Sequence, residues 1–218
     1  RVSEGHPDKV SDQISDASVD LHLSREPEAR VAVETLTTSN RVVLAGETRC
    51  EPQVSGEEMI ETARGVIKAI GYEQDGFHWR NAEVLCHVHG QSSEIAMGVD
   101  ASDDKDEGAG DQGIMFGYAC DETDHLMPAP IAYSHGIVEA LAKARHGGER
   151  REFLPDAKSQ VTVRYENGRP VGTSSVVVST QHVAGLSQDD VRELVRPYVE
   201  RVLPDGWMPP EDEFYVNP

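Results

Sequence analysis

The feature that most constrains the fold of this chain is an order of predicted elements that occurs twice. In the first half, apolar residues at steps of three and four predict a helix over residues 8–23. Two β-rich runs, 30–36 and 41–46, flank Ser39 and Asn40 and predict a hairpin. A helix over 57–70 that stops at Gly71 and a strand over 82–89 follow.

The second half repeats this order. We predict a helix over 131–145 and a hairpin of strands 160–165 and 171–180 around Asn167-Gly168, a strong turn signal. Ser187 and Asp190 form a capping box for a helix to Val202, which Pro197 is expected to kink or shorten, and a strand closes the chain at 214–216. The offset of about 130 residues favours two related α+β units, although such an order also arises by chance.

Charge and composition exclude several functional classes. The 218 residues contain 39 Asp and Glu against 20 Lys and Arg, a formal charge of -19, so we expect no binding to the phosphate backbone of nucleic acids. No apolar run approaches the roughly 20 residues of a membrane span, so we predict no membrane partner. Three widely spaced cysteines do not suggest a disulfide framework and favour a cytoplasmic protein.

A phosphate-binding pattern lies at the start of the first predicted helix. Gly5 would let a ligand approach the backbone, and His6 and Lys9 can donate hydrogen bonds to phosphate oxygens. Asp8 would repel a phosphate unless a divalent cation lies between them. The pattern therefore indicates phosphate with magnesium. The alternative is an ordinary helix start that Asp8 caps.

Two carboxylates fall on the first hairpin. A short loop at Ser39-Asn40 puts Glu34 and Glu47 on one face of the sheet, where a cation, a substrate ammonium group or a shared proton would relieve their repulsion. An exposed polar face is the alternative. His87 and His89 also share a strand face, but without an evident third ligand we interpret them as polar strand residues rather than a metal pair.

A polar stretch from 90 to 124 separates the two units. Its acidic part, 103–107, is typical of a solvated loop, and a flap over a site is the sharper interpretation. Residues 108–113 match the dinucleotide fingerprint, but no βαβ unit surrounds them, so we reject a Rossmann fold; Asp111 instead presents a carboxylate in a tight turn. Lys158, at the start of a predicted strand, could supply a cation to phosphate.

Together these segments resemble the S-adenosylmethionine synthetase (methionine adenosyltransferase) family over the whole length. The resemblance lies in residues 3–9 (SEGHPDK), 33–35, 45–47, 91–95 (QSSEI), 108–118 (GAGDQGIMFGY), 127–131 (MPAPI), 155–162 (PDAKSQVT) and 179–182 (STQH). It implies a transferase in which the sulfur of L-methionine attacks C5′ of ATP and the bound triphosphate is then hydrolysed to pyrophosphate and phosphate.

The resemblance also implies residue roles, which we carry over by position. The implied catalytic residue is His6, which would assist departure of the triphosphate by hydrogen bonding and positive charge. The implied ligands of the metals are Asp8 for Mg²⁺ and Glu34 for K⁺. The implied substrate contacts are Glu47, Gln91 and Asp111 for methionine, and His6, Asp156, Ala157 and Lys158 for ATP. Residues 91–100 correspond to a flexible loop at the active site.

Finally, the resemblance implies an organisation. We expect residues 1–4 and 122–218 to form an N-terminal-type α+β domain, 5–101 an incomplete central domain, and 102–121 a segment of, or leading to, a missing third domain. Two of three repeats would be largely present, and Lys and Arg residues that bind phosphate would follow Pro218, so the fragment alone should be inactive. The implied assembly is a homodimer or a dimer of dimers with shared active sites, hence a homotetramer.

Two other hypotheses remain open at this stage. The chain could be a non-catalytic partner subunit or degenerate paralogue of the same fold. It could also be a generic metal-dependent phosphate-binding module that uses His6, Asp8 and Lys158.

Overall fold

The computed structural model describes residues 1–91 and 112–218, which fall into two compact units. Unit 1 comprises residues 1–9 and 118–218, and unit 2 comprises residues 10–117. The limits of unit 1 lie within a few residues of the expected domain 1–4 and 122–218. Unit 2 extends to residue 117, whereas the expected second domain ended at residue 101. Asp111, the acidic run 103–107 and most of the expected flap lie outside the described residues.

Unit 2 is a three-stranded sheet with two helices. Its elements are α1 (Pro7–Arg25, whose first turn counts with unit 1), β1 (Arg30–Thr38), β2 (Arg41–Arg49), α2 (Gly56–Ile70), the short strands β3 (Glu73–Gln74) and β4 (Phe77–His78), and β5 (Glu83–Gly90). β1 pairs antiparallel with β2, and β2 pairs parallel with β5. β3 and β4 form a separate hairpin that the sequence did not predict.

Local residue chemistry explains where these elements begin and end. Asn40 takes a φ of 50° in the two-residue turn between β1 and β2, a conformation that Asn tolerates better than most residues. Ser55 and Glu58 form a capping box at the start of α2, and Gly71 ends that helix with a φ of 97°. Apolar side chains of α1, α2 and β2, including the fully buried Ile14, then pack into one core.

Unit 1 repeats the topology of unit 2. Its elements are α3 (Ala129–His146), β6 (Phe153–Glu166), β7 (Arg169–His182), α4 (Gln188–Val202), a 3-10 turn (Glu211–Glu213) and β8 (Phe214–Val216). β6 pairs antiparallel with β7, and β7 pairs parallel with β8. In each unit a hairpin is followed by a helix and by a strand parallel to the second hairpin strand, which confirms the predicted repeat and the α+β class.

Two details of the second half differ from the prediction. Pro197 does not shorten α4, which continues to Val202. Buried Val195, Tyr198 and Val199 anchor the helix on both sides of the proline, so packing outweighs the missing backbone donor. β6 begins at Phe153 rather than near residue 160, because the segment before Lys158 is also extended.

The two longest described helices, α1 and α3, have 19 and 18 residues. Both contain charged side chains, and each buries only part of its surface. Over residues 1–91 and 112–218, no helix is both long enough and apolar enough to cross a membrane.

Candidate functional site

The first residues of the chain pair with β6 in unit 1. Val2 forms an antiparallel bridge with Lys158, the Ser3 N–H donates to the Ala157 carbonyl at 2.8 Å, and the Ser159 N–H donates to the Arg1 carbonyl at 2.9 Å. This pairing fixes the start of α1 beside the stretch 155–158. It therefore gathers most of the predicted phosphate-binding residues within one unit.

Gly5 is required by this close approach rather than by a ligand. A Cβ at position 5 would lie 2.3 Å from the Pro155 carbonyl oxygen and 2.4 Å from the Pro155 carbonyl carbon. Real Cβ atoms essentially never approach other heavy atoms so closely. The expectation that Gly5 leaves room for a ligand is wrong, because the Pro155 backbone occupies that space.

His6 is held in a defined orientation at the start of α1. Its side chain is 14% exposed, and its Nδ1 accepts the Asp8 backbone N–H at 3.2 Å. This bond uses the lone pair of Nδ1, so the neutral ring has its proton on Nε2. His6 can thus donate a hydrogen bond from Nε2 without being charged.

Asp8 lies inside the first helical turn and is open to solvent. Its side chain is 87% exposed, and its Oδ2 lies 3.7 Å from His6 Nδ1. Because α1 begins at Pro7, Asp8 is not the residue that precedes the helix, as an N-cap residue would be. The exposed carboxylate can face a ligand, and the helix dipole stabilises its negative charge at this position.

Asp156 is the most perturbed acid near His6. Burial raises the pKa of its carboxyl, and the nearby His6 and Lys158 partly oppose that rise. Among the described residues, the buried Asp156 Oδ1 has no hydrogen-bond partner. A half-buried carboxyl group with an unsatisfied oxygen indicates a site for a ligand that donates a hydrogen bond.

The neighbours of Asp156 differ in what they can offer a ligand. Lys158 is exposed and lines a cavity of about 520 Å³ together with residues of α3, β6 and β7. Neither His6 nor Asp156 lines this cavity. Ala157 is buried, and both its N–H and its carbonyl are hydrogen-bonded to Ser3. A contact of Ala157 with ATP stays a prediction.

Unit 2 places Glu34 and Glu47 on one face of its sheet, as the hairpin pattern predicted. Glu34 is opposite Ala45 and Glu47 is opposite Ala32, so the two acids are diagonal neighbours on adjacent strands. Glu34 is exposed and Glu47 is half-buried. The half-buried position of Glu47 makes it the better candidate for contact with a small cationic group.

Gln91 lies next to this face. Its N–H donates to the Thr48 carbonyl at 3.0 Å and continues the pairing of β2 with β5. Its side-chain Oε1 is buried without a hydrogen-bond partner among the described residues. Glu47 and Gln91 therefore come together within unit 2, whereas Asp111 lies outside the described residues.

His87 and His89 share the same sheet face, and His89 is paired with Glu47 in the register of β2 and β5. Even so, no group of three His, Cys, Asp or Glu side chains in the described part of the chain is arranged to hold a metal ion.

Sequence reasoning missed Ser3. This residue is only 5% exposed, and its hydroxyl bridges two backbone groups of β6. No local pattern could have revealed it, because its partners lie more than 150 positions along the chain.

Comparisons with known proteins agree with this architecture. The N-terminal domain of S-adenosylmethionine synthetase matches residues 1–93, and the central domain matches residues 106–218. These labels are the reverse of those that we gave to the two halves from the sequence. A third-domain role for 102–121 stays a prediction.

Three similar proteins are each called S-adenosylmethionine synthase. Those of Parvibaculum lavamentivorans and Maricaulis maris are 66% identical to the chain, and that of Paramagnetospirillum magneticum is 65% identical, over 217 residues. All of the chain is covered in each comparison, and it spans about 56% of each relative's length. The chain thus belongs to the S-adenosylmethionine synthetase family.

Proposed function

We propose that the protein containing this chain is a methionine adenosyltransferase that makes S-adenosylmethionine from ATP and L-methionine. The methionine sulfur forms a bond with C5′ of ATP, and the C5′–O bond breaks with its electrons going to the triphosphate. The triphosphate is then hydrolysed to pyrophosphate and phosphate. The observation that carries this proposal is the convergence of His6, Asp156 and Lys158 at the junction of α1 and β6.

The displacement needs no strong base, so the protein contributes positioning and stabilisation of the leaving group. The His6 Nε2–H donates to a triphosphate oxygen as negative charge develops there. The Lys158 ammonium group adds positive charge from β6. Both groups interact with the phosphates and leave the sulfur free to attack from the opposite side of C5′.

Asp156 serves the nucleoside part of ATP rather than its phosphates. A carboxylate repels phosphate, whereas the Asp156 Oδ1, which has no partner among the described residues, can accept a hydrogen bond from a ribose hydroxyl or an adenine amino group. Asp156 thus orients C5′ relative to His6.

Glu47 and Gln91 are assigned to methionine. The Glu47 carboxylate accepts hydrogen bonds from the methionine ammonium group, and the buried Gln91 Oε1 offers a second acceptor. Asp111 would complete this set from the segment outside the described residues. The two acceptors on neighbouring strands suit a cationic amine better than a phosphate.

Mg²⁺ and K⁺ are the proposed cofactors. Mg²⁺ is commonly held by one or two carboxylates together with substrate phosphates, and the exposed Asp8 carboxylate beside His6 fits that mode without a cluster of protein ligands. Glu34 offers one exposed carboxylate for K⁺. When bound, these cations neutralise the negative charge of the polyphosphate. The chain itself has a formal charge of -19 and so offers few cations for this purpose.

We further propose a cytoplasmic homodimer or dimer of dimers with shared active sites. We also propose that further phosphate-binding cations come from parts of the longer protein outside this chain.

The test is the rate of S-adenosylmethionine formation by the full-length protein with ATP, methionine, Mg²⁺ and K⁺. We expect turnover that His6→Asn lowers by roughly two orders of magnitude, because the shorter Asn side chain cannot place a hydrogen-bond donor where the His6 Nε2 lies. His125→Asn, an exposed histidine in the same unit, is the control and should retain activity. Full activity of His6→Asn would overturn the role of His6, and absence of product with the unmodified protein would favour a non-catalytic partner subunit.

A further inference from the structure

Ser3 uses all of its polar groups to join the start of α1 to β6. Its hydroxyl donates to the Pro155 carbonyl at 2.7 Å and accepts the Ala157 N–H at 2.8 Å. Its own N–H donates to the Ala157 carbonyl at 2.8 Å, and its carbonyl accepts the His6 N–H at 3.1 Å. One buried residue therefore bonds to the residues before and after Asp156 and also to His6.

The hydroxyl replaces sheet pairing that β6 lacks at this point. Phe153 pairs with His182 and Ala157 pairs with Thr180, so the register with β7 shifts between these two pairs. The intervening residues bulge out of the regular ladder, and Asp156 lies among them. Bulges re-aim side chains, and their backbone groups need other partners. Ser3 supplies those partners for Pro155 and Ala157.

We propose that Ser3 is a positioning residue of the nucleotide site: its hydroxyl fixes the β6 bulge so that Asp156 and His6 bind ATP together. This inference rests on the proposed function, because it concerns the same site. Ser3 itself is nearly inaccessible and has every polar group already bonded within the protein. It therefore acts through Asp156 and His6 rather than by touching the substrate.

The variant Ser3→Ala isolates this role. The backbone pairing of residues 1–3 with 157–159 does not involve the hydroxyl and should keep the variant folded. Two backbone groups next to Asp156 lose their partner, and the bulge is then free to shift. We expect roughly ten-fold weaker binding of a non-hydrolysable ATP analogue with Mg²⁺, since small displacements of positioned groups are costly. Methionine binding should change less than about two-fold, because Glu47 and Gln91 do not depend on β6.

The experiment uses the full-length protein and calorimetric titration with each ligand, together with thermal unfolding. Ser134→Ala is the matched control, since Ser134 is also 5% exposed and its hydroxyl donates within α3, to the Pro130 carbonyl. The control should bind both ligands like the unmodified protein. Should Ser3→Ala fail to fold, Ser3→Cys, with its weaker donor, is expected to weaken ATP binding several-fold.

Each other outcome has a separate meaning. Unchanged binding of the ATP analogue by the folded Ser3 variant overturns the positioning role. An equal loss of affinity for ATP and methionine indicates general structural damage and also overturns it. If the unmodified protein binds neither ligand, the proposed function itself fails, whatever Ser3 does.

Discussion

The variant Gly5→Ala tests whether the contact between the start of α1 and β6 builds the site. The new Cβ would lie 2.3–2.4 Å from the oxygen, carbon and Cβ of Pro155, whereas ordinary contact begins at 3.4 Å. Two of these three atoms belong to the backbone and cannot rotate away. The two segments must therefore separate by about 1 Å, a displacement that is sufficient to lower catalysis by about 100-fold when it misplaces a catalytic group.

The same displacement should also lower stability. Overpacking a filled site costs about 1–3 kcal/mol, so we expect a lower unfolding midpoint together with weaker ATP binding. Because His6 follows Gly5 directly, ATP binding and turnover should fall more than methionine binding does. The assay combines thermal unfolding by circular dichroism with the rate of S-adenosylmethionine formation in the full-length protein.

Gly65→Ala is the matched control for this change. Gly65 lies in the interior of α2, and a Cβ there would meet nothing within 4 Å. Alanine should therefore stabilise the helix by up to about 1 kcal/mol and leave turnover unchanged. Wild-type turnover and stability in Gly5→Ala would refute the reasoning, because they would show that Pro155 yields to the added methyl group at no cost.

Three further predictions concern stability. Burial raises the pKa of the Asp156 carboxyl, so the folded state binds the carboxyl proton more tightly than the unfolded state does and loses stability as the pH rises through that pKa. Asp156→Asn should remove this pH dependence and weaken ATP binding. Urea unfolding of both proteins at pH 4 and pH 8 measures the pH dependence. Arg25 and the Ser55 cap lower the pKa of Glu58 to about 2, so its stabilising effect is complete above pH 4.5 and disappears as the pH falls toward 2. The unfolding midpoints of the unmodified protein and Glu58→Gln should therefore converge over that interval, and a constant difference would contradict this. Ile137 is fully buried, and Ile137→Ala should cost about 2–5 kcal/mol in denaturant unfolding; a loss below about 1 kcal/mol would show that the core collapses around the cavity.

Much of the fold could be predicted because its signals are local. The turn at Ser39-Asn40, the cap at Ser187 and the glycine that ends α2 each depend on residues within a few positions of one another. The expected shortening of α4 at Pro197 does not occur, for the complementary reason. Its local effect is overridden by buried contacts made with residues far away in the sequence.

The candidate site was predictable only in its residue types. The sequence indicated phosphate chemistry near His6 and a carboxylate pair at Glu34 and Glu47, and the register of β1 and β2 confirms that these acids share a face. It gave a wrong reason for Gly5 and no role for Ser3. The close approach of two backbone segments cannot be inferred from the sequence of either segment alone.

The sequence by itself determined the order of elements, their repetition and the kinds of side chains available, since periodicity, caps and turns act over one or two helical turns. Only the tertiary structure decided that the Ser3 hydroxyl bridges the β6 bulge and that Ser3 and Asp156 both lie beside His6. It also decided that one Asp156 oxygen has no partner within residues 1–91 and 112–218. The physical reason is that these hydrogen bonds join groups about 150 residues apart. Such contacts exist only after both segments have packed against the same sheet.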